Sequence, residues 1–152
     1  MLVSSSRLRP QALIVDDDDL FRRYLQGVLA AFGFLPNYAE NAPLALRVLE
    51  RLSPDLIITD IYMPGGDGFE LINRLRLQGD ATPIIAMSGG GAHPEYDALG
   101  IAATLGANAC IAKPIRNAQL LQLIGEVMRE TGDVRDHGAS RRRVHGGRVQ
   151  TS

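Results

Sequence analysis

The strongest constraint on this chain is an alternation repeated five times, a short apolar run followed by a longer stretch of helical period. The runs cover 12–15, 35–39, 56–59, 83–87 and 109–112. Three of them are continuously apolar, as strands are when helices cover both faces of a parallel sheet. The alternation predicts an α/β fold of five βα units with right-handed crossovers. Leu20, Tyr24, Leu25, Val28, Leu29 and Phe32 recur at three- and four-residue steps, which predicts one buried face on a first helix. Leu44, Val48, Leu49 and Leu52 mark a second helix, and Phe69, Ile72 and Leu75 a third. Leu99, Ala102 and Leu105 mark a weaker fourth, and Leu120, Leu121, Ile124, Val127 and Met128 a strong fifth. Gly33, Gly79 and Gly106 follow the first, third and fourth helices as stop signals, and Pro54-Asp55 breaks the chain after the second.

Composition narrows the class without naming a function. A length of 152 residues suits one domain, and 45% hydrophobic with 22% charged residues is ordinary for a globular chain. No apolar run approaches the ~18 residues of a membrane span, and the first residues lack the apolar core of a secretory signal. The single cysteine, Cys110, cannot close an internal disulfide and fits a reducing, cytoplasmic setting. A net charge of −1 gives no reason to expect a nucleic-acid or anionic-membrane surface. The expected division is an extension over 1–10, a folded domain over 11–131, and a Gly/Arg-rich tail over 132–152. That tail carries five Arg and two Asp, a charge of +3, has no apolar period, and is expected to lack structure.

In an open parallel sheet the loops leaving the strand C-termini gather at one edge, where ligands bind. Asp16-Asp17-Asp18-Asp19 follows the first strand, Asp60 the third, Ser88 the fourth, and Lys113-Pro114 the fifth. Asp16, Asp17 and Asp60 would crowd one edge, and two like charges at 4 Å repel by about 4 kcal/mol at an effective dielectric of 20. A divalent cation relieves this, and hard oxygen ligands select Mg²⁺ or Mn²⁺ over zinc. Three carboxylates, one Mg²⁺ and Lys113 sum to a neutral pocket able to accept a phosphoryl group. Taken singly, each feature has a plainer explanation. Asp18 and Asp19 suit a helix N-terminus, a Ser before glycines suits a turn, and a lysine at a strand end is usually a surface charge. Their joint placement after strands one, three, four and five tips the balance.

In combination, Leu13-Ile14-Val15-Asp16-Asp17, the run from Leu56 through Asp60 to Gly68, Ile84-Ile85-Ala86-Met87-Ser88, and the run from Gly106 to Lys113-Pro114 resemble the receiver domains of two-component response regulators. The resemblance spans about Gln11 to Arg129. It implies a flavodoxin-like, doubly wound (βα)5 fold with strand order 2-1-3-4-5. It implies that Asp60 is the phosphoacceptor, attacking a phosphohistidine to form an aspartyl phosphate. Asp16, Asp17, Asp60 and the backbone carbonyl of Tyr62 would hold Mg²⁺ or Mn²⁺. Ser88 would contact the phosphoryl oxygens, Lys113 would pair with them, and the Lys113-Pro114 bond would be cis. The implied donor is a sensor histidine kinase or a histidine phosphotransfer protein, and the signal would leave through an unidentified protein target. No membrane segment or DNA-binding helix-turn-helix is expected.

Two departures stand out. Cys110 occupies the position, three before the lysine, where receivers usually carry Tyr or Phe, so an aromatic-coupled readout loses its ring. The segment after Ser88 contains Gly89, Gly90 and Gly91 and then His93-Pro94, which predicts a mobile loop with a solvated histidine. The expectation is a stand-alone signalling domain that assists its own phosphorylation and dephosphorylation without being an enzyme in the ordinary sense. The alternative is a pseudo-receiver, a protein-binding module that phosphorylation does not switch. A phosphatase lacks a suitable Asp-x-Asp pair and cap domain, and an FMN carrier lacks a phosphate loop after the first strand.

Overall fold

The computed structural model describes residues 9–64, 67–89 and 97–145, with side chains described to Thr131. Its elements run β1 Gln11–Val15, α1 Asp19–Ala31, β2 Leu35–Ala39, α2 Ala42–Leu49, β3 Leu56–Asp60, α3 Gly68–Leu77, β4 Ile84–Gly89, α4 Ala98–Leu105, β5 Ala109–Lys113 and α5 Asn117–His145. All strand pairings are parallel, in the order β2-β1-β3-β4-β5. This is the predicted doubly wound architecture. Each predicted strand is present, and the last three extend one or two residues further toward the C-terminal edge of the sheet. Those added residues include Asp60, Ser88 and Lys113.

Strand periodicity divides the core in two. Leu13, Val15, Ile57, Ile84 and Ala86 face a layer built from Ala42 and Ala45 of α2, Leu71, Ile72 and Leu75 of α3, and Ala98 and Ala102 of α4. The alternate residues Ala12, Ile14, Leu56, Ile58, Ile85 and Met87 face Leu25 and Leu29 of α1 with Leu120, Ile124 and Val127 of α5. Side chains alternating across a pleated strand need apolar cover on both sides, which explains the unbroken apolar runs. Truncating any of these buried leucines or isoleucines to alanine costs about 2–5 kcal/mol.

Helix starts follow local chemistry. Asp18, Asn41, Asp67 and Asp97 cap α1 to α4, each accepting a hydrogen bond from a backbone N–H three residues on. Asp18 is thus the cap expected of it, while Asp19 is the first helical residue and pairs with Arg22 at 2.6 Å and Arg23 at 3.2 Å. Gly33 and Gly106 end α1 and α4 with φ of +101° and +120°, a conformation glycine adopts without steric cost.

The structure departs from expectation in two places. On α1 the buried face holds Arg22, Leu25 and Leu29, whereas Leu20 is 78% exposed and Tyr24 and Phe32 are about half exposed (42% and 49%). Two interleaved apolar rows occur on this helix, and spacing alone does not reveal which row the sheet covers. The second departure is in α5, which continues to His145 through 132–145, where composition predicts no structure. That stretch contains no proline, and adding residues to a formed helix avoids the cost of a new nucleus. Residues 1–8 of the expected extension over 1–10, the loop segment 90–96 with Gly90, Gly91 and His93-Pro94, and the end of the tail over 146–152 lie outside the described residues.

Candidate functional site

The sheet ends at the C-terminal edge in a ring of polar side chains. Asp16 and Asp17 follow β1, Asp60 closes β3, Ser88 is the penultimate residue of β4, and Lys113 closes β5. Because β1 and β4 both flank β3, Asp60 stands between them, level with Met87 of β4. Asp16 is fully buried, and Asp60 and Ser88 are nearly so. Asp17 is exposed.

Carboxylate oxygens of Asp16, Asp17 and Asp60 lie within 4.8 Å of one another. This is the one cluster of three or more His, Cys, Asp or Glu suited to a metal ion among the described residues. Lys113 Nζ faces it, 3.1 Å from Asp16 Oδ2 and 3.3 Å from Asp60 Oδ2. The other carboxylate oxygens of Asp16 and Asp60 have their own donors. The Asp18 N–H donates to Asp16 Oδ1 at 2.9 Å, and the Ile61 N–H donates to Asp60 Oδ1 at 2.8 Å. The predicted convergence of Asp16, Asp17, Asp60 and Lys113 is therefore present. Ser88 shares the edge from β4, one strand from Asp60 on one side and level with Ala112 of β5 on the other. Tyr62 follows two residues after Asp60, its half-exposed ring edge-on to Phe69 at 6.0 Å. The Lys113-Pro114 peptide is cis.

Electrostatics follow from this crowding. Burial pushes the Asp60 carboxyl above the ordinary value of 3.8, and the neighbouring Asp16 adds to the rise against the opposing pull of Lys113. Burial alone would lower Lys113, but the facing charges of Asp60 and Asp16 outweigh it and hold the ammonium above its usual value. Three acidic groups against one ammonium leave excess negative charge on hard oxygen donors. That donor set fits Mg²⁺, a small hard cation bound through a few carboxylates and waters.

Two contributors carry no signal in sequence spacing. Arg22, almost fully buried, donates to the Asp16 carbonyl at 3.3 Å and lies 4.4 Å over the Tyr38 ring. Phe21, its neighbour on α1, presents its ring to Lys113 Nζ at 4.2 Å. Apolar period marks Phe21 for neither face of the predicted helix, and an arginine near a helix start reads as a surface charge. Cys110, half-buried on β5, donates its thiol to the Leu99 carbonyl of α4 at 3.3 Å. Burial, with the Asp97 charge, raises its thiol above the ordinary range.

Known proteins resemble this chain in sequence and fold. The family model described as the response regulator receiver domain matches residues 12–125. An uncharacterized 14.6 kDa protein in the sodA1 3′ region of Leptolyngbya boryana is 37% identical over 114 residues, spanning 74% of this chain and 85% of the relative. PetR of Rhodobacter capsulatus is 38% identical over 120 residues, 79% of this chain but only 49% of PetR, so the chain spans about half of that relative. The crystal structure of the chemotaxis response regulator CheY4 of Vibrio cholerae superposes with a TM-score of 0.69 at 27% identity, covering 78% of this chain and 98% of CheY4. No described helix is long and apolar enough to cross a membrane. Matched by the family model over residues 12–125 and similar in overall fold to a solved response regulator, the chain belongs to the receiver domain family of two-component response regulators.

Proposed function

We infer that this receiver accepts a phosphoryl group on Asp60 from a histidine kinase or a histidine phosphotransfer protein and signals through a change in protein binding. The reading is carried by one observation, the convergence of three carboxylates within 4.8 Å opposite Lys113. Asp16, Asp17, Asp60 and the Tyr62 backbone carbonyl are the groups that would hold Mg²⁺. When bound, that ion supplies positive charge against the phosphoryl oxygens.

The protein residues divide the remaining work. An Asp60 carboxylate oxygen bonds to phosphorus while the P–N bond of the donor phosphohistidine breaks, its electron pair staying on the imidazole nitrogen. Charge spreads over three equatorial oxygens in such transfers, so positioned countercharge supplies most of the acceleration. Lys113 offers an ammonium that already faces Asp60, and Ser88 offers a hydroxyl from the neighbouring strand. Phosphorylation would shift Lys113 from carboxylate oxygen to phosphoryl oxygen and draw Ser88 inward, a local charge change felt at the end of β4. A protein working alone, with cytoplasmic partners, is part of the same proposal. Treatment with Mg²⁺ and acetyl phosphate should add one phosphoryl mass, labile to base and absent from Asp60→Asn. If no such adduct forms, the chain is a binding module that phosphorylation does not switch.

A further inference from the structure

The Lys113 ammonium has three N–H groups and no acceptor. Two sides of it meet carboxylates, Asp16 at 3.1 Å and Asp60 at 3.3 Å. On another side lies the Phe21 ring, its centroid 4.2 Å from Nζ, well inside the ~6 Å range of a cation–π contact. The ring is held from several directions. Its own backbone N–H donates to the capping carboxylate of Asp18 at 3.2 Å, and the Asp18 N–H in turn donates to Asp16 at 2.9 Å. The Tyr24 ring lies beside the Phe21 ring, tilted, with centroids 5.9 Å apart, and the Tyr24 hydroxyl donates to the side chain of Asn117, the first residue of α5. A closed circuit results, Asp16 to Asp18 to Phe21 to Lys113 and back to Asp16. The acidic turn and the ammonium opposite it are thereby set by the same helix start.

We propose that Phe21 is a positioning residue for Lys113, its ring face seating the ammonium so that the charge stays aimed at Asp60. The proposal builds on the phosphoacceptor reading and adds a part to that site. A lysine tip facing solvent would otherwise sample many rotamers and keep a full hydration shell. The aromatic face replaces water on one side without competing as a hydrogen-bond acceptor for the N–H groups that the carboxylates use.

Phe21 also belongs to the apolar layer between α1 and α5, so its seating role must be separated from plain packing. Lys113 is the only lysine in the chain, so lysine labelled with ¹³C at Cε gives one side-chain signal. In the full-length protein the attached protons should resonate upfield of free lysine because of the ring current. Phe21→Leu, which keeps apolar bulk, should return them toward the free position, and Phe21→Tyr should hold them in place. Phosphorylation by acetyl phosphate with Mg²⁺ should slow about two- to fivefold in Phe21→Leu and recover in Phe21→Tyr, as expected for a contact of this strength. Phe21→Met replaces the leucine variant if circular dichroism shows the latter unfolded. An unmoved lysine signal in the ring-less variant, or equal rates in all variants, overturns the proposal. Should the wild-type protein take no phosphate, the phosphoacceptor reading fails, and the lysine signal alone upholds or overturns the seat.

Discussion

Asp60 works against its surroundings before any partner arrives. Burial and the Asp16 charge raise its carboxyl, so the folded chain holds a proton there more readily than the unfolded chain does. Stability therefore falls as pH rises from the unfolded carboxyl value through the folded one. Asp60→Asn removes this penalty while Lys113 keeps Asp16 as a partner. Without Mg²⁺ at pH 7, this variant should melt about 2–5 °C above wild type, the shift expected from ~1 kcal/mol in a domain of this size. The gain should vanish near pH 3, where the wild-type carboxyl is protonated in both states. Thermal melts across that range check the sign, and a lower midpoint at pH 7 would contradict it. Cys110 gives a second test. Its raised thiol should demand a more alkaline solution for iodoacetamide labelling than a free cysteine does, measured as labelling rate against pH.

At the scale of elements, the start of α3 bears directly on the site. A Cβ added at Gly68 would lie 2.2 Å from the Asp60 carbonyl oxygen, backbone against backbone, with no flexible side chain to yield. Gly68→Ala should therefore cost about 1–3 kcal/mol and slow phosphorylation, since either α3 or the end of β3 must move. Denaturant melts and acetyl phosphate kinetics on the same variant would reveal both losses. Element starts and ends were readable because caps are local chemistry: Asp18 and Gly33 announce α1 whatever packs on it. The orientation of α1 was not readable. Leu20 and Tyr24 share an apolar row yet face outward, while buried Arg22 finds its partners in Asp19, the Asp16 carbonyl and Tyr38. Such partners become visible only when three elements come together. For the same reason the chain order pointed to Asp16, Asp17, Asp60 and Lys113, whereas Phe21 needed coordinates.

For the molecule as a whole, an acidic cluster that fits Mg²⁺ ties ion binding to folding. Saturation about 100-fold above the dissociation constant adds ~2.7 kcal/mol of stability, so wild-type protein should melt several degrees higher in Mg²⁺ than in EDTA. Asp60→Asn should lose most of that increment in the same paired melts. The opposite end of the sheet is secured differently. Arg76 of α3 donates to the carbonyls of Gly106, Asp80 and Thr82 and to the Asn108 side chain, at 2.7–2.9 Å. Those acceptors lie just before β4 and β5, whereas Ser88 and Lys113 lie at the far ends of the same two strands. One guanidinium thus clamps the quiet end, and no comparable brace among the described side chains spans β4 and β5 at the charged end. Like a tuning fork gripped at its stem, the pair is anchored far from the chemistry, so a tap at Asp60 meets strands whose starts are already held.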